Sequence, residues 1–155
     1  MKVAKQKSQD LARLAALVRQ MKVGMLTTIE PDGSLRSRPL ETLEIDAAGR
    51  LWFFTQAHAP KSLEVQSENQ VSLSYADPRD EDFASISGTA RVVRDREKMQ
   101  ALWHSSLERW FPRGLEDPDL ALLEVRIDKA EYWDEPHEEN VKIATLPPQP
   151  PGLRT

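Results

Sequence analysis

At 155 residues the chain has the size of one typical domain, long enough to bury a core without disulfide or metal staples. Its formal charge of −4 with both signs interleaved gives no footprint for nucleic acid, and the absence of cysteine excludes disulfides, thiolate nucleophiles and cysteine metal sites together. Asp10, Arg13 and Arg19 interrupt the apolar residues of the N-terminus, so no signal peptide is expected, and no run approaches the roughly 18 apolar residues of a membrane span; a cytoplasmic protein with no membrane partner is the expectation.

Leu11, Leu14, Leu17, Val18 and Met21 share one face of a helix predicted over residues 8–21, with Ser8 placed to cap it. Val23, Met25, Thr27 and Ile29 alternate as a strand, and "EPDGS" supplies the turn residues Pro31, Asp32 and Gly33. The strand pattern resumes at Leu35 and continues to about Ile45; after "DAAG" comes "LWFFT", so residues 22–55 predict three antiparallel strands. Pro60 suits the first turn of a short helix running to about Glu68. A fourth strand, "QVSLSYA", and a fifth, "FASISGTARVV", flank the acidic loop "DPRDED", and Gly88 marks a bulge or a close backbone approach.

Asp95 is placed to cap a helix over 95–111 whose Met99, Leu102, Trp103, Leu107, Trp110 and Phe111 share one side, ended by Pro112 and Gly114. "LALLEVRI" then runs into "KAEYWD" as a sixth strand. Short, sequential, turn-linked strands favour a small antiparallel barrel over a parallel sheet. Residues 1–136 are expected to form the single domain with its N-terminal helix, and residues 137–155 a Pro-rich extended tail.

The scattered glycines exclude a dinucleotide fingerprint and a P-loop, and no G-x-S-x-G elbow is present. His58, His104 and His137 lie far apart, so no metal site is expected. Arg36 and Arg38 in "LRSRPLE" point the same way from a strand, an arrangement that is costly unless water or an anion lies between them; the alternative is an exposed face neutralised by Glu41 or Glu44. Thr55 at a strand end and Lys61 at a helix start are placed to close on one anion, helped by the N–H groups of the helix N-terminus, or they form an ordinary strand, loop and helix. Trp103 and Trp110, seven residues apart on one stripe, are either core or interface packing or a wall against a planar ligand.

Taken in order, "VGMLTTIEPDGSLRSRPLE", "LWFFTQAHAPKSLEV", "NQVSLSYADP", "SISGTARVVRDREKMQALW", "RWFP" and "DPDLALLEVRIDKAEYWD" resemble the general stress protein 26 branch of the pyridoxamine 5′-phosphate oxidase-like, FMN-binding split-barrel family, from Val23 to Asp134. The resemblance implies a mainly β fold with flanking helices: a six-stranded antiparallel split β-barrel that forms a homodimer with flavin sites at the interface. It implies that Arg36, Ser37, Arg38 and Pro39 border the flavin ring and phosphate. Phe53, Phe54 and Thr55 would lie at the ring edge and ribityl chain, and Lys61 with Ser62 at the phosphate. Trp103 and Trp110 would come from the partner chain.

The implied cofactor is FMN, with FAD as the alternative. The implied activity is that of a flavin-dependent oxidoreductase of general stress protein type, exchanging electrons with an unknown small-molecule donor or acceptor. "AEYW" resembles authentic pyridoxamine 5′-phosphate oxidases, but their following Arg-x-His element is missing here, which argues against oxidation of vitamin B6. Two alternatives are a flavin reservoir or sensor without turnover and a reductase using the deazaflavin F420. The second would favour more basic rim residues than this acidic chain offers. No residue is assigned as a proton donor, since hydride chemistry belongs to the flavin.

Overall fold

Leu14, Leu17 and Val18 are fully covered, and this apolar stripe lays helix α1 (Lys2–Met21) against a β-sheet. The computed structural model describes residues 2–67, 69–134 and 141–143. The helix begins at Lys2, so Ser8 lies within it and not at its cap.

Strands β1 (Val23–Ile29) and β2 (Leu35–Glu41) form the expected hairpin. Its turn is held by Asp32, whose carboxylate accepts from Ser34 N at 2.9 Å, and by Gly33 at φ +86. The strand expected to run to Ile45 is broken after Glu41. Thr42 N donates to Lys22 O and Leu43 N to Trp52 O, so the chain leaves one partner for another within two residues. Beyond the break lie the short β3 (Glu44–Ile45), β4 (Arg50–Gln56), helix α2 (Pro60–Ser67), β5 (Gln70–Asp77) and β6 (Asp82–Val93). After these come helix α3 (Arg96–Leu102), β7 (Leu120–Trp133) and β8 (Val141–Ile143).

The strands form one antiparallel sheet in the order β2-β1-β5-β6-β7-β4-β3, with β8 paired to β7. It is the expected mainly β, split-barrel architecture, with β3 and β8 added to the six strands read from the sequence. Of the three strands expected over 22–55, the first two pair as β1 and β2, but the third, β4, pairs with β7 and β3 and not with β2. As the sheet curls, β2 and β4 approach without sharing a ladder. That seam is the split of the barrel. β8 falls in the stretch expected to be an extended tail, where it pairs with Ala130, Glu131 and Tyr132, and residues 144–155 lie outside those described.

The consecutive aromatics of β4 are explained by burial on both faces. Phe53 enters the main core inside the barrel with Leu26, Leu73, Ile86, Leu123 and Val125. Trp52 and Phe54 point the other way, into a second core with Met99, Leu107, Leu120 and Leu122. Fully burying each large side chain is worth roughly 1.5–3 kcal/mol. Gly88 sits at a register shift between β6 and β7, where a Cβ would meet Arg126 O at 2.4 Å. It is both the bulge and the close approach expected.

Asp95 caps α3 by accepting from Lys98 N at 3.2 Å, as expected. The helix itself stops at Leu102, Trp103 turns to an extended conformation, and the chain continues as a 3-10 turn over Ser105–Arg109. The single helix expected over 95–111 is therefore two elements. The edge-on packing of Trp103 against Phe54 takes the place of a continuous stripe.

Candidate functional site

The arginines of β2 and the lysine of α2 converge beside the seam. Arg38 Nη1 donates to Thr28 Oγ1 at 2.5 Å and Nη2 to Glu64 Oε2 at 3.2 Å, while Thr28 Oγ1 donates to the same carboxylate. Arg36 has only a loose contact with Glu30 at 4.0 Å and is largely exposed. Half-buried Lys61 has no carboxylate at ion-pair distance among the described residues. Burial, then the Arg38 charge, then the Arg36 charge hold its ammonium below the ordinary lysine range. Three cations thus face one carboxylate and a distant second. Such an excess is costly where water is partly excluded, and an anion from outside would relieve it.

The sequence left open whether Glu41 or Glu44 neutralises this face. Neither does. Glu44 binds Lys98 at 3.0 Å, and Glu41, an odd number of residues from both arginines, leaves the opposite face of β2. The neutralising carboxylate is Glu64, three residues after Lys61 and on the helix that covers Thr28. The sequence reading missed it together with Thr28, because both act through tertiary contact.

Thr55 and Ser62 are fully covered. Their hydroxyls meet at 2.8 Å, and Ser62 Oγ also donates to Gln56 O at 2.7 Å. The pair locks the loop between β4 and α2 and so fixes where Lys61 stands. Ser62 N and Leu63 N both donate to Ala59 O, so these two amides of the α2 N-terminus are occupied and are not free for an anion.

The seam also holds a cleft of about 50 Å³ lined by Val23 of β1, Pro39, Leu40 and Glu41 of β2, Phe54 of β4, and Leu107, Trp110 and Phe111. Phe54 packs edge-on against Trp103 at 5.4 Å and Phe111 at 6.1 Å between ring centroids. Trp110 is 50 % exposed and forms the outer wall. Within this chain Trp103 packs on Phe54 and Trp110 lines the same cleft. Ser37 lies on the outer face of the hairpin, bonded to Thr27 at 2.6 Å, and Phe53 belongs to the barrel core. Pro39, Phe54 and Trp110 thus line the cleft; Arg36, Arg38 and Lys61 form the cation cluster; Thr55 and Ser62 brace it; Ser37, Phe53 and Trp103 lie outside both. No group of metal-ligating side chains occurs among the described residues, and no described helix is long and apolar enough to cross a membrane.

Residues 9–146 match the family described as pyridoxamine 5′-phosphate oxidase like. Protein bli-3 of Neurospora crassa is 28% identical over 134 residues, covering 80% of this chain and 64% of that protein, so the chain spans less than two thirds of this curated relative. Among solved structures, a protein related to general stress protein 26 from Clostridium acetobutylicum superposes with a TM-score of 0.74 at 22% identity, over 88% of this chain and 95% of the other. A pyridoxamine 5′-phosphate oxidase-related, FMN-binding protein from Nostoc punctiforme gives 0.66 at 12% identity, over 84% and 87%. At such identities these two structures speak for the fold alone.

Proposed function

Because the chain belongs to the pyridoxamine 5′-phosphate oxidase-like family, we propose that it forms a single domain that binds FMN along the seam between β2 and β4 and works as a flavin-dependent oxidoreductase. The observation that carries this reading is Lys61, a half-buried ammonium beside two guanidiniums with no carboxylate at ion-pair distance among the described residues. A phosphate dianion is the charge that this cluster lacks. The Nostoc relative is described as FMN-binding, which supports FMN ahead of FAD, the alternative.

Lys61 and Arg36 would hold the phosphate. Arg38, already fixed by Glu64 and Thr28, adds charge from a set position. Charge-assisted bonds to charged groups are worth roughly 1.5–3 kcal/mol each, so two or three supply much of the roughly 8 kcal/mol of a micromolar site. Pro39 and Phe54 would wall the ring end, and the apolar surroundings exclude water from it. The flavin supplies hydride transfer when bound; the protein's part is to place it and shield it.

The physiological partner is a small-molecule electron donor or acceptor. The missing Arg-x-His element weighs against pyridoxamine 5′-phosphate. A homodimer is part of the proposal, supported by the apolar residues left exposed on the outer face of the β1–β2 hairpin, Val23, Met25 and Leu35. Sedimentation of the flavin-loaded protein as a monomer would remove the dimer.

The test of the central reading is visible absorption of the purified protein before and after stoichiometric FMN. A yellow preparation, or a shifted and quenched FMN spectrum, is expected; an unchanged spectrum would refute flavin binding. NAD(P)H or another donor reducing the bound flavin faster than free flavin then separates an oxidoreductase from a flavin reservoir.

A further inference from the structure

Glu41 ends β2 and is the one charged residue among those lining the cleft. Its side chain is only 16 % exposed, yet its carboxylate is met from a distance: His104 Nε2 lies 3.4 Å away and Arg109 Nη2 3.8 Å away. Both exceed the roughly 2.7–2.9 Å of a charge-assisted hydrogen bond. The other imidazole nitrogen of His104 is engaged by Ser106 Oγ. An ionised carboxylate offers about four lone-pair sites, and no hydrogen bond within the described residues fills one on Glu41. His104 and Arg109 stand on the solvent side with about half or more of their side chains exposed, where water screens them. The cleft side of Glu41 is mostly apolar, with Phe54, Phe111 and Trp110 among its walls.

The walls favour the same kind of guest. Phe54, Phe111 and Trp110 present aromatic surface, and the Trp110 ring already carries the Arg109 guanidinium at 5.1 Å, so its face suits a cation. At about 50 Å³ the cleft takes about three or four non-hydrogen atoms, the substituted edge of a ring and not a whole one. Along β2 the polarity reverses. Arg36 and Arg38 leave one face of the strand toward its start, and Glu41 leaves the other face at its end, about 10 Å along the strand from Arg38 at the rise of about 3.3 Å per residue.

We propose that the Glu41 cleft is the substrate end of this seam and selects a planar molecule by an edge that donates hydrogen bonds or carries positive charge, an amide, amine or pyridinium, while turning away carboxylates and phosphates. The assignment rests on the flavin reading for the cation cluster, but the two are separable. A ligand amide fills the free acceptor sites of Glu41; a ligand carboxylate faces a like charge with little water between them.

The test is a tryptophan-fluorescence titration of the full chain, with and without FMN, using nicotinamide and its isosteric anion nicotinate. 1-Methylnicotinamide, methylated on the ring nitrogen, is the cationic third probe. Nicotinamide and the cation are expected to bind at least tenfold more tightly than nicotinate. Glu41→Gln, with an unchanged circular dichroism spectrum, should bring the ratio to within about twofold. Nicotinate binding as well as nicotinamide, no binding of any probe, or an unaltered ratio in Glu41→Gln would each overturn the proposal. The three probes compared on the unmodified protein decide the matter even where the variant fails to fold. Absorbance titration with FMN on the same sample keeps the two readings apart: discrimination without flavin binding refutes only the flavin, and flavin binding without discrimination refutes only the cleft.

Discussion

Replacing Lys61 by methionine should make the free protein more stable and the flavin complex weaker, two effects of opposite sign from one side chain. Methionine keeps most of the apolar stem and removes the ammonium. In the free protein that ammonium is half-buried and stands near Arg38 and Arg36, and burial and the two charges push its proton affinity down, so the folded chain carries a repulsion that the unfolded chain lacks. Removing it should raise the melting temperature, by about 2–4 °C for each kcal/mol relieved in a chain of this size. In the complex the lost lysine–phosphate bond is worth roughly 1.5–3 kcal/mol, which is about a ten- to hundredfold rise in the FMN dissociation constant. Thermal melts of the free variant and quenching of FMN fluorescence on titration measure the two quantities separately. A variant that melts lower than the parent, with an FMN dissociation constant unchanged within twofold, would refute both the charge excess and its purpose.

Glu64→Gln strips the carboxylate from a guanidinium that is only 15 % exposed. A loss of about 2 kcal/mol is expected, below the 3–5 kcal/mol of a fully buried broken pair, and saturating FMN should recover part of the fall in melting temperature by supplying the anion. Gly88→Ala places a Cβ 2.4 Å from Arg126 O and 2.7 Å from Val125 Cγ1. Backbone cannot yield cheaply there, so a loss of about 1–3 kcal/mol should appear in melts, with FMN titration unchanged because β6 does not border the seam. Alkali should destabilise the fold: burial, then the charges of Asp10 and Asp134, push the Tyr132 phenol up to about 12, and burial raises Tyr75 further against its bond to Thr42. Between the ordinary phenol value of about 10 and those values the folded state binds more protons than the unfolded one, so stability is whole below pH 10 and is lost as pH rises from 10 to 12. Tyr132→Phe should flatten the melting temperature over that window; a slope equal to the parent's would exclude Tyr132 as its source.

Period and turn chemistry were enough to read the hairpin at Gly33, the Asp95 cap and the Gly88 bulge, because each is decided by residues close in sequence or by one backbone constraint. The partner of Arg38 was not readable in the same way, since Glu64 reaches it only after α2 folds over Thr28. Part of that answer was nevertheless available: in a strand Glu41 cannot share a face with Arg36 and Arg38, and alternation alone removes it as their neutraliser. Thr55 and Ser62 were legible as neighbours of the phosphate position but not as a closed pair, because whether two hydroxyls face a ligand or each other depends on loop geometry that spacing does not set.

The two places where periodicity misled, Thr42–Leu43 and Trp103, flank the same cleft. At the first, the apolar alternation of β2 would carry the strand onward, but Thr42 is bound by Tyr75 at 2.6 Å and Leu43 turns to β4, which leaves Glu41 at a strand end facing the seam. At the second, an amphipathic stripe would carry α3 onward, but Trp103 is held against Phe54, and the chain turns to bring His104, Leu107 and Trp110 over the opening. Were β2 and α3 each to continue as their patterns dictate, Glu41 would no longer end its strand and Trp110 would lie along a helix face. Departures from local preference that converge on one seam mark a place where tertiary contacts override local pattern, and natural proteins concentrate such conflicts at functional sites. The seam is thus singled out twice, by an uncompensated cation cluster toward one end and by two broken patterns at the other.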